Sequence, residues 1–198
     1  MNGFLALLLA VQGQDEAALR TAFGKEMNST DAGNRAAAVR KLAGSREEES
    51  IAALTGALKD PDKDVRKAAA ETIGSCKDEG GVAAKPLSAL LNEKKEDPVV
   101  RLAAAKALGK CLYKGEALEA LITCICGITN FDRELHAFGA DVVEVLNQYS
   151  GEDYGKGKQT PGLWEFWWED FKEKYRKQDQ ERRHAYKDWK ERKTRKQP

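Results

Sequence analysis

The feature that most constrains this chain is an internal recurrence. Four segments align without gaps inside them: Asp31-Ala-Gly-Asn-Arg35, Asp62-Lys-Asp-Val-Arg66, Asp97-Pro-Val-Val-Arg101 and Asp132-Arg-Glu-Leu-His136. Their starts are 31, 35 and 35 residues apart. Each is followed by small residues and then a larger aliphatic: Ala37-Ala38 to Leu42, Ala68-Ala69 to Ile73, Ala103-Ala104 to Leu108, and Phe138-Gly139 to Val143. A period of this length belongs to stacked supersecondary units, because one unit cannot bury its apolar side alone.

The residues of each unit have separate physical roles. The leading Asp predicts a helix N-cap, its carboxylate accepting from free backbone N–H groups at the positive end of the helix dipole. Pro98 follows Asp97 at the first helical position, where its missing N–H costs nothing. Arg66 and Arg101 stand four residues after their acids, in the favourable acid-before-base order, which predicts a charged rung within each helix. The alanines one turn later predict a flat face for close approach. A second apolar run follows each: Ile51, Leu54 and Leu58, then Leu87, Leu90 and Leu91, then Leu118, Leu121, Ile122 and Ile125. Breaks are expected at Gly44-Ser45, Gly80-Gly81 and Lys114-Gly115, with Pro86 tolerated in an opening turn.

Two helices per period predict an all-α chain, an α-solenoid of about four helical hairpins ending in a long C-terminal helix. The segments Asp60 to Gly74 and Asp97 to Gly109 resemble HEAT repeats of the short bacterial type, a resemblance covering about residues 31 to 149 and weakest in the fourth unit. The Trp/Leu/Gly/Tyr pattern of tetratricopeptide repeats is absent. The resemblance implies an armadillo-like scaffold that displays a curved surface to protein partners, with first helices on the convex side and second helices on the concave side. A few HEAT-like families are enzymes, among them DNA glycosylases and bilin lyases, so the fold alone does not assign a function.

Composition sharpens the picture at the two ends. The chain is 198 residues long, 41% hydrophobic and 33% charged, with a formal charge of +1. That charge is unevenly spread: residues 172–198 hold twelve Lys/Arg against five Asp/Glu, leaving the remainder about −6. A basic tail on an acidic body is either an electrostatic handle or a solvated helix. At the other end, Phe4 to Val11 is an apolar run of signal-peptide length, too short to span a bilayer, with a cleavage site expected before Gln14. No Lys or Arg precedes it. The alternatives are a leader over residues 1–13, placing the protein in the periplasm or outside the cell, or a hydrophobic first helix in a cytoplasmic protein. Four cysteines bear on the same point. Cys76 and Cys111 are equivalent positions one repeat apart, about 10 Å between neighbouring helices and beyond disulfide reach. Buried free thiols are expected.

The solenoid is expected over residues 14–149, a loop over 150–162, and a Trp-rich helix with a basic tail over 163–198. The loop holds Gly151-Glu-Asp-Tyr-Gly155 and fails the Walker spacing for phosphate binding. Trp164, Trp168, Phe171 and Tyr175 form a helical stripe that predicts closure of the open end of the stack. The loop followed by Trp-x-x-Trp-Trp resembles a tail found after HEAT repeats in exported bacterial proteins of unassigned function.

No catalytic constellation, cofactor site or metal set is legible. The two histidines do not converge, His136 taking the arginine slot of the degenerate unit and His184 lying in the tail, and Cys124-Ile-Cys126 lacks a partner pair at zinc spacing. The expected function is a non-catalytic protein-binding scaffold, its partner unidentified. The residues singled out for partner binding are Glu47, Glu116 and Glu119 on the second helices, and Arg182, Arg183, Tyr186 and Trp189 on the tail. Nucleic-acid binding through the basic tail is the alternative, opposed by an acidic concave face.

Overall fold

A computed structural model describes residues 16–128, 133–151 and 161–195. Residues 1–13, the cap position Asp132 and most of the expected loop lie outside the described residues, as does the side chain of His136. The elements are α1 (residues 16–26), α2 (Ala32–Arg40), α3 (Glu48–Ala57), α4 (Lys63–Ile73), α5 (Ala84–Asn92), α6 (Pro98–Leu108), α7 (Lys114–Cys126), α8 (Arg133–Ser150) and α9 (Pro161–Arg195). No strand occurs among the described residues. The architecture is the expected all-α solenoid.

Local chemistry sets the helix starts. Asp31 accepts from the N–H groups of Gly33 and Asn34, Asp62 from those of Asp64 and Val65, and Asp97 from that of Val99, with Pro98 behind it. Each cap satisfies backbone donors that have no partner inside the helix. Two boundaries differ from expectation. Lys114 and Gly115 open α7 instead of breaking the chain, and the break falls at residues 111–113. Pro161 and Gly162 belong to the first turn of α9, where a leading proline loses no hydrogen bond.

The helices form two layers. First helices α2, α4, α6 and α8 pack side by side, and each second helix rests on the first helix that follows it: α3 on α4, α5 on α6, α7 on α8. The first layer meets through small side chains, with Ala36, Ala38, Ala68, Ala69, Ala70, Ala103, Ala104 and Ala105 buried. The second layer contributes the larger ones, and every aliphatic expected there, from Ile51 to Ile125, is buried. In the fourth unit Val142, one residue before the expected Val143, takes the fully buried position. α9 packs on α7 more extensively than any other pair of helices touches, so it occupies the next position of the second layer. Trp164, Trp167 and Trp168 are buried there, Trp164 meeting Trp167 edge-on with centroids 5.7 Å apart and Trp167 stacking on Phe171 at 5.0 Å. These large rings cover the apolar end that a solenoid otherwise exposes.

The arginine rungs run between repeats, a correction to the within-helix pairs expected from spacing. Arg35 donates both Nε and Nη2 to the carboxylate of Asp60 at 2.8 Å, and Arg66 donates to both oxygens of Glu96 at 2.6 and 2.7 Å. Of the acids expected to pair, Asp62 instead accepts from the Asp64 and Val65 N–H groups, and Asp97 from the Val99 N–H and from Lys63 of the preceding first helix. Arg35 also donates to the Ser29 and Thr30 carbonyls, and Arg66 to those of Asp60 and Pro61, tying loop to helix. Arg101 continues the series differently, donating to the Leu91 carbonyl and lying 4.5 Å over the Phe138 ring of the next first helix. Planar, multiply donating guanidinium suits this role where ammonium does not.

α7 has no cap of its own: Tyr113 precedes it and offers no side-chain acceptor. The cap comes from α9, whose Asp179 carboxylate accepts from the Glu116 N–H at 3.0 Å. Gly115 makes this approach feasible, since a Cβ there would stand 2.6 Å from Asp179 Oδ2 and 3.1 Å from the Tyr175 backbone. Gly81, at φ +69°, turns the chain ahead of α5, and a Cβ there would meet the buried Tyr113 ring at 2.5 Å.

Three tests follow from this packing. Gly81→Ala combines the left-handed penalty with a ring clash and lowers unfolding stability by more than about 1 kcal/mol, read as a lower urea midpoint at unchanged m. Arg35 and Arg66 hold Asp60 and Glu96 below their ordinary pKa values of 3.8 and 4.5, chiefly by direct hydrogen bonding. The native state therefore binds fewer protons, and this stability is complete above those ordinary values and drains as pH falls through the lowered ones. Asp60→Asn and Glu96→Gln flatten that acid limb in equilibrium unfolding, and an unchanged limb would exclude the ladder as its source. Burial acts oppositely on Asp179, raising its pKa above 3.8 despite the helpful N–H groups, so its contribution is lost as pH rises through the folded value. Asp179→Asn, which keeps the acceptor, leaves thermal stability at neutral pH equal or higher, whereas Asp179→Ala uncaps α7 and costs about 1 kcal/mol.

Candidate functional site

The partner-binding residues expected on the second helices and on the tail meet each other. α9 runs antiparallel to α7, with Arg176 opposite Glu119 and Arg183 opposite Glu116, and then continues past the start of α7 toward the start of α3. Arg176 donates to Glu119 at 3.0 Å, Arg183 to Glu116 at 2.6 Å and Lys190 to Glu48 at 2.6 Å. These three cations are seven residues apart, so they recur along one side of the helix every two turns, drifting by about 20° each time. The spacing was readable in the sequence. Its partners were not, since they lie 57, 67 and 142 residues away along the chain.

Aromatic contacts accompany the ion pairs. Arg183 lies 4.5 Å over the ring of Tyr113, whose hydroxyl donates to the Glu79 carbonyl at 2.7 Å. Tyr186 donates to Glu48 at 3.2 Å, and its ring rests where a Cβ on Gly80 would stand, 3.2 Å away. Trp189 stacks on Tyr186 with centroids 5.7 Å apart and remains 46% exposed, with Lys193 above it. Arg182 is exposed and makes no ion pair among the described residues. Glu47 is placed apart from the arm: it precedes α3 and receives Arg20 from α1, while Glu16 of α1 accepts from the Ser45 hydroxyl at 2.6 Å. Thus α1 and the far part of α9 both reach the start of α3, at the adjacent Glu47 and Glu48.

The ionisable groups elsewhere have a different character. The four cysteines are thiols, Cys124 buried and the other three half-buried. Burial pushes Cys111 up to about 11 and Cys126, with Glu165 beside it, up to about 12. A thiol raised this far holds almost no thiolate at neutral pH and is a poor nucleophile and a poor metal ligand. His184 is exposed on α9. Among the described residues no group of three or more His, Cys, Asp or Glu side chains is placed to hold a metal ion. No described helix is long and apolar enough to cross a membrane.

Comparison with protein families matches residues 21–95 to HEAT repeats, which covers α2 to α5 and most of α1. The match stops short of α6, although α6 repeats the same Asp-capped, alanine-faced geometry. No curated protein matches the chain. HEAT repeats are generally scaffolds for protein interaction. The matched repeats and their continuation through α9 agree: the chain is an α-solenoid that carries HEAT repeats over residues 21–95 and whose last second-layer position is filled by a tryptophan-rich helix.

Proposed function

We propose that the chain works as a non-catalytic scaffold that binds a protein partner through the second-helix layer and the arm laid along it. The observation that carries this reading is the row of glutamates on the second helices, Glu48, Glu116 and Glu119, set among exposed small or polar positions such as Ala52, Gly56, Ala89 and Thr123. A surface of this kind offers flat contact and fixed charge, the ingredients of protein recognition. The high pKa values of the thiols and the isolation of His184 support a role without chemistry.

Nucleic-acid binding is the competing reading, favoured by Lys177, Arg182 and Lys187, which make no ion pair among the described residues. Against it, three of the arm's cations, Arg176, Arg183 and Lys190, are already paired with glutamates, which leaves fewer to meet phosphate.

Cross-linking with mass spectrometry on native fractions is expected to recover one recurrent protein partner, with cross-links to α3, α5 or α9. Failure to enrich any protein above background counts against the scaffold. In parallel, salt-sensitive binding to a mixed-sequence duplex that disappears in a Lys177→Glu, Arg182→Glu, Lys187→Glu variant would establish the nucleic-acid reading instead.

A further inference from the structure

α9 is longer than its packing requires. It has 35 residues, about 52 Å of helix, against 13 residues and about 20 Å for α7. Its last buried residue is Asp179. From residue 180 to 195 every side chain is exposed except the half-buried Arg183 and Tyr186. This stretch is held to the body by two ion pairs, one phenol hydrogen bond, the stack of Arg183 on Tyr113 and a tyrosine ring on Gly80. Half-exposed ion pairs of this type contribute little each, and the end of a helix frays readily. The first half of α9 is a structural cap. The second half adds almost no burial.

The surface beneath does not depend on the arm. Glu48 lies in the first turn of α3 and Glu116 in the first turn of α7, where the helix dipole already favours negative charge. Removing residues 180–195 would therefore leave an acidic surface with a glycine notch at Gly80 and the Tyr113 ring newly uncovered. The ligand that fits it is written in the arm: a cation, an aromatic three residues on and a second cation four residues later, as in Arg183, Tyr186 and Lys190. We propose that Glu48, Gly80 and Glu116 form the docking surface for a basic helical segment of a partner protein, and that residues 180–195 of the chain occupy it as a built-in competitor. This deepens the scaffold reading and rests on it. Because the arm is tethered beside its site, it competes at a high effective concentration, and a partner gains access only by offering the same chemistry more strongly or by engaging further surface. The device restricts binding to partners whose helix outbids a fixed internal standard.

The test uses the full chain and a fluorescent synthetic peptide spanning residues 176–195 as the probe. The arm is released by Arg183→Glu, Tyr186→Ala and Lys190→Glu together, with Lys190→Glu alone as a milder variant. Hydrogen exchange should then show lost protection over residues 181–195 and intact protection over 164–179, which checks release and folding at once. Peptide anisotropy is expected to show at least about tenfold tighter binding to the released chain than to the wild type, as removal of a tethered competitor requires. The single variant should fall between them, and adding Glu48→Gln and Glu116→Gln should abolish the gain. Raising salt from about 0.05 M to about 0.5 M should weaken binding to the released chain. Equal peptide binding by wild type and released chain would overturn the proposal, as would unchanged protection of residues 181–195 in the triple variant. A tightened peptide with no partner recovered by cross-linking would instead sink the scaffold reading and leave the occupied surface standing.

Discussion

A helical hairpin of roughly thirty-five residues has one side too apolar to face water and no means of covering it from within. Everything else in this chain answers that constraint. The alanine faces of α2, α4 and α6 let neighbouring first helices approach closely, while the leucine and isoleucine rows of the second helices fill the space between layers. Guanidinium groups then lock the spacing, because Arg35 and Arg66 each hold a carboxylate from the next unit and the carbonyls of a loop. The stack needs an end, and its end is α9. Three indoles and a stacked phenylalanine supply in one helix the apolar cover that a further repeat would otherwise bring.

The same helix then changes character midway. Up to Asp179 it is a core element, anchored by rings and by a carboxylate driven into the start of α7. Beyond that point it is a charged strap crossing from the last repeat to the first. The change is gradual along one continuous helix, so the packing that positions the cap also aims the strap. Charge makes the aim useful: three cations at heptad spacing meet three glutamates contributed by two second helices. The structural role and the proposed recognition role are thus separated by a single helical turn.

How far this could be read from residues alone depends on the range of each interaction. Caps at Asp31, Asp62 and Asp97 were legible because donor and acceptor lie within three positions, and the buried aliphatics were legible because helical periodicity is local. The arginine ladder was misplaced for an instructive reason. Spacing offered Asp62 to Arg66, but the guanidinium pairs with both oxygens of Glu96, a partner that only the stacking of repeats brings within reach. The Trp-rich cap was readable from its stripe of rings. The meeting of tail and second helices was not, because Glu48 and Lys190 are brought together by the summed geometry of several stacked units. Residues chosen separately as two surfaces, Glu116 and Glu119 on one side and Arg183 and Tyr186 on the other, lie within one interface.

Asp179 completes the first turn of a helix by accepting from an N–H group, that of Glu116, sixty-three positions earlier in the chain. During synthesis α7 therefore emerges long before the group that finishes its first turn, and the apolar end of the stack waits for the tryptophans as well. Repeats ahead of it can stack as they appear, but the stack remains open-ended until α9 has left the ribosome. A chain interrupted within α9 would carry an uncapped helix and an uncovered leucine row, the exposed apolar surface that drives misassembly of nascent repeat proteins. Completion of the stack thus waits on the first half of α9, up to Asp179.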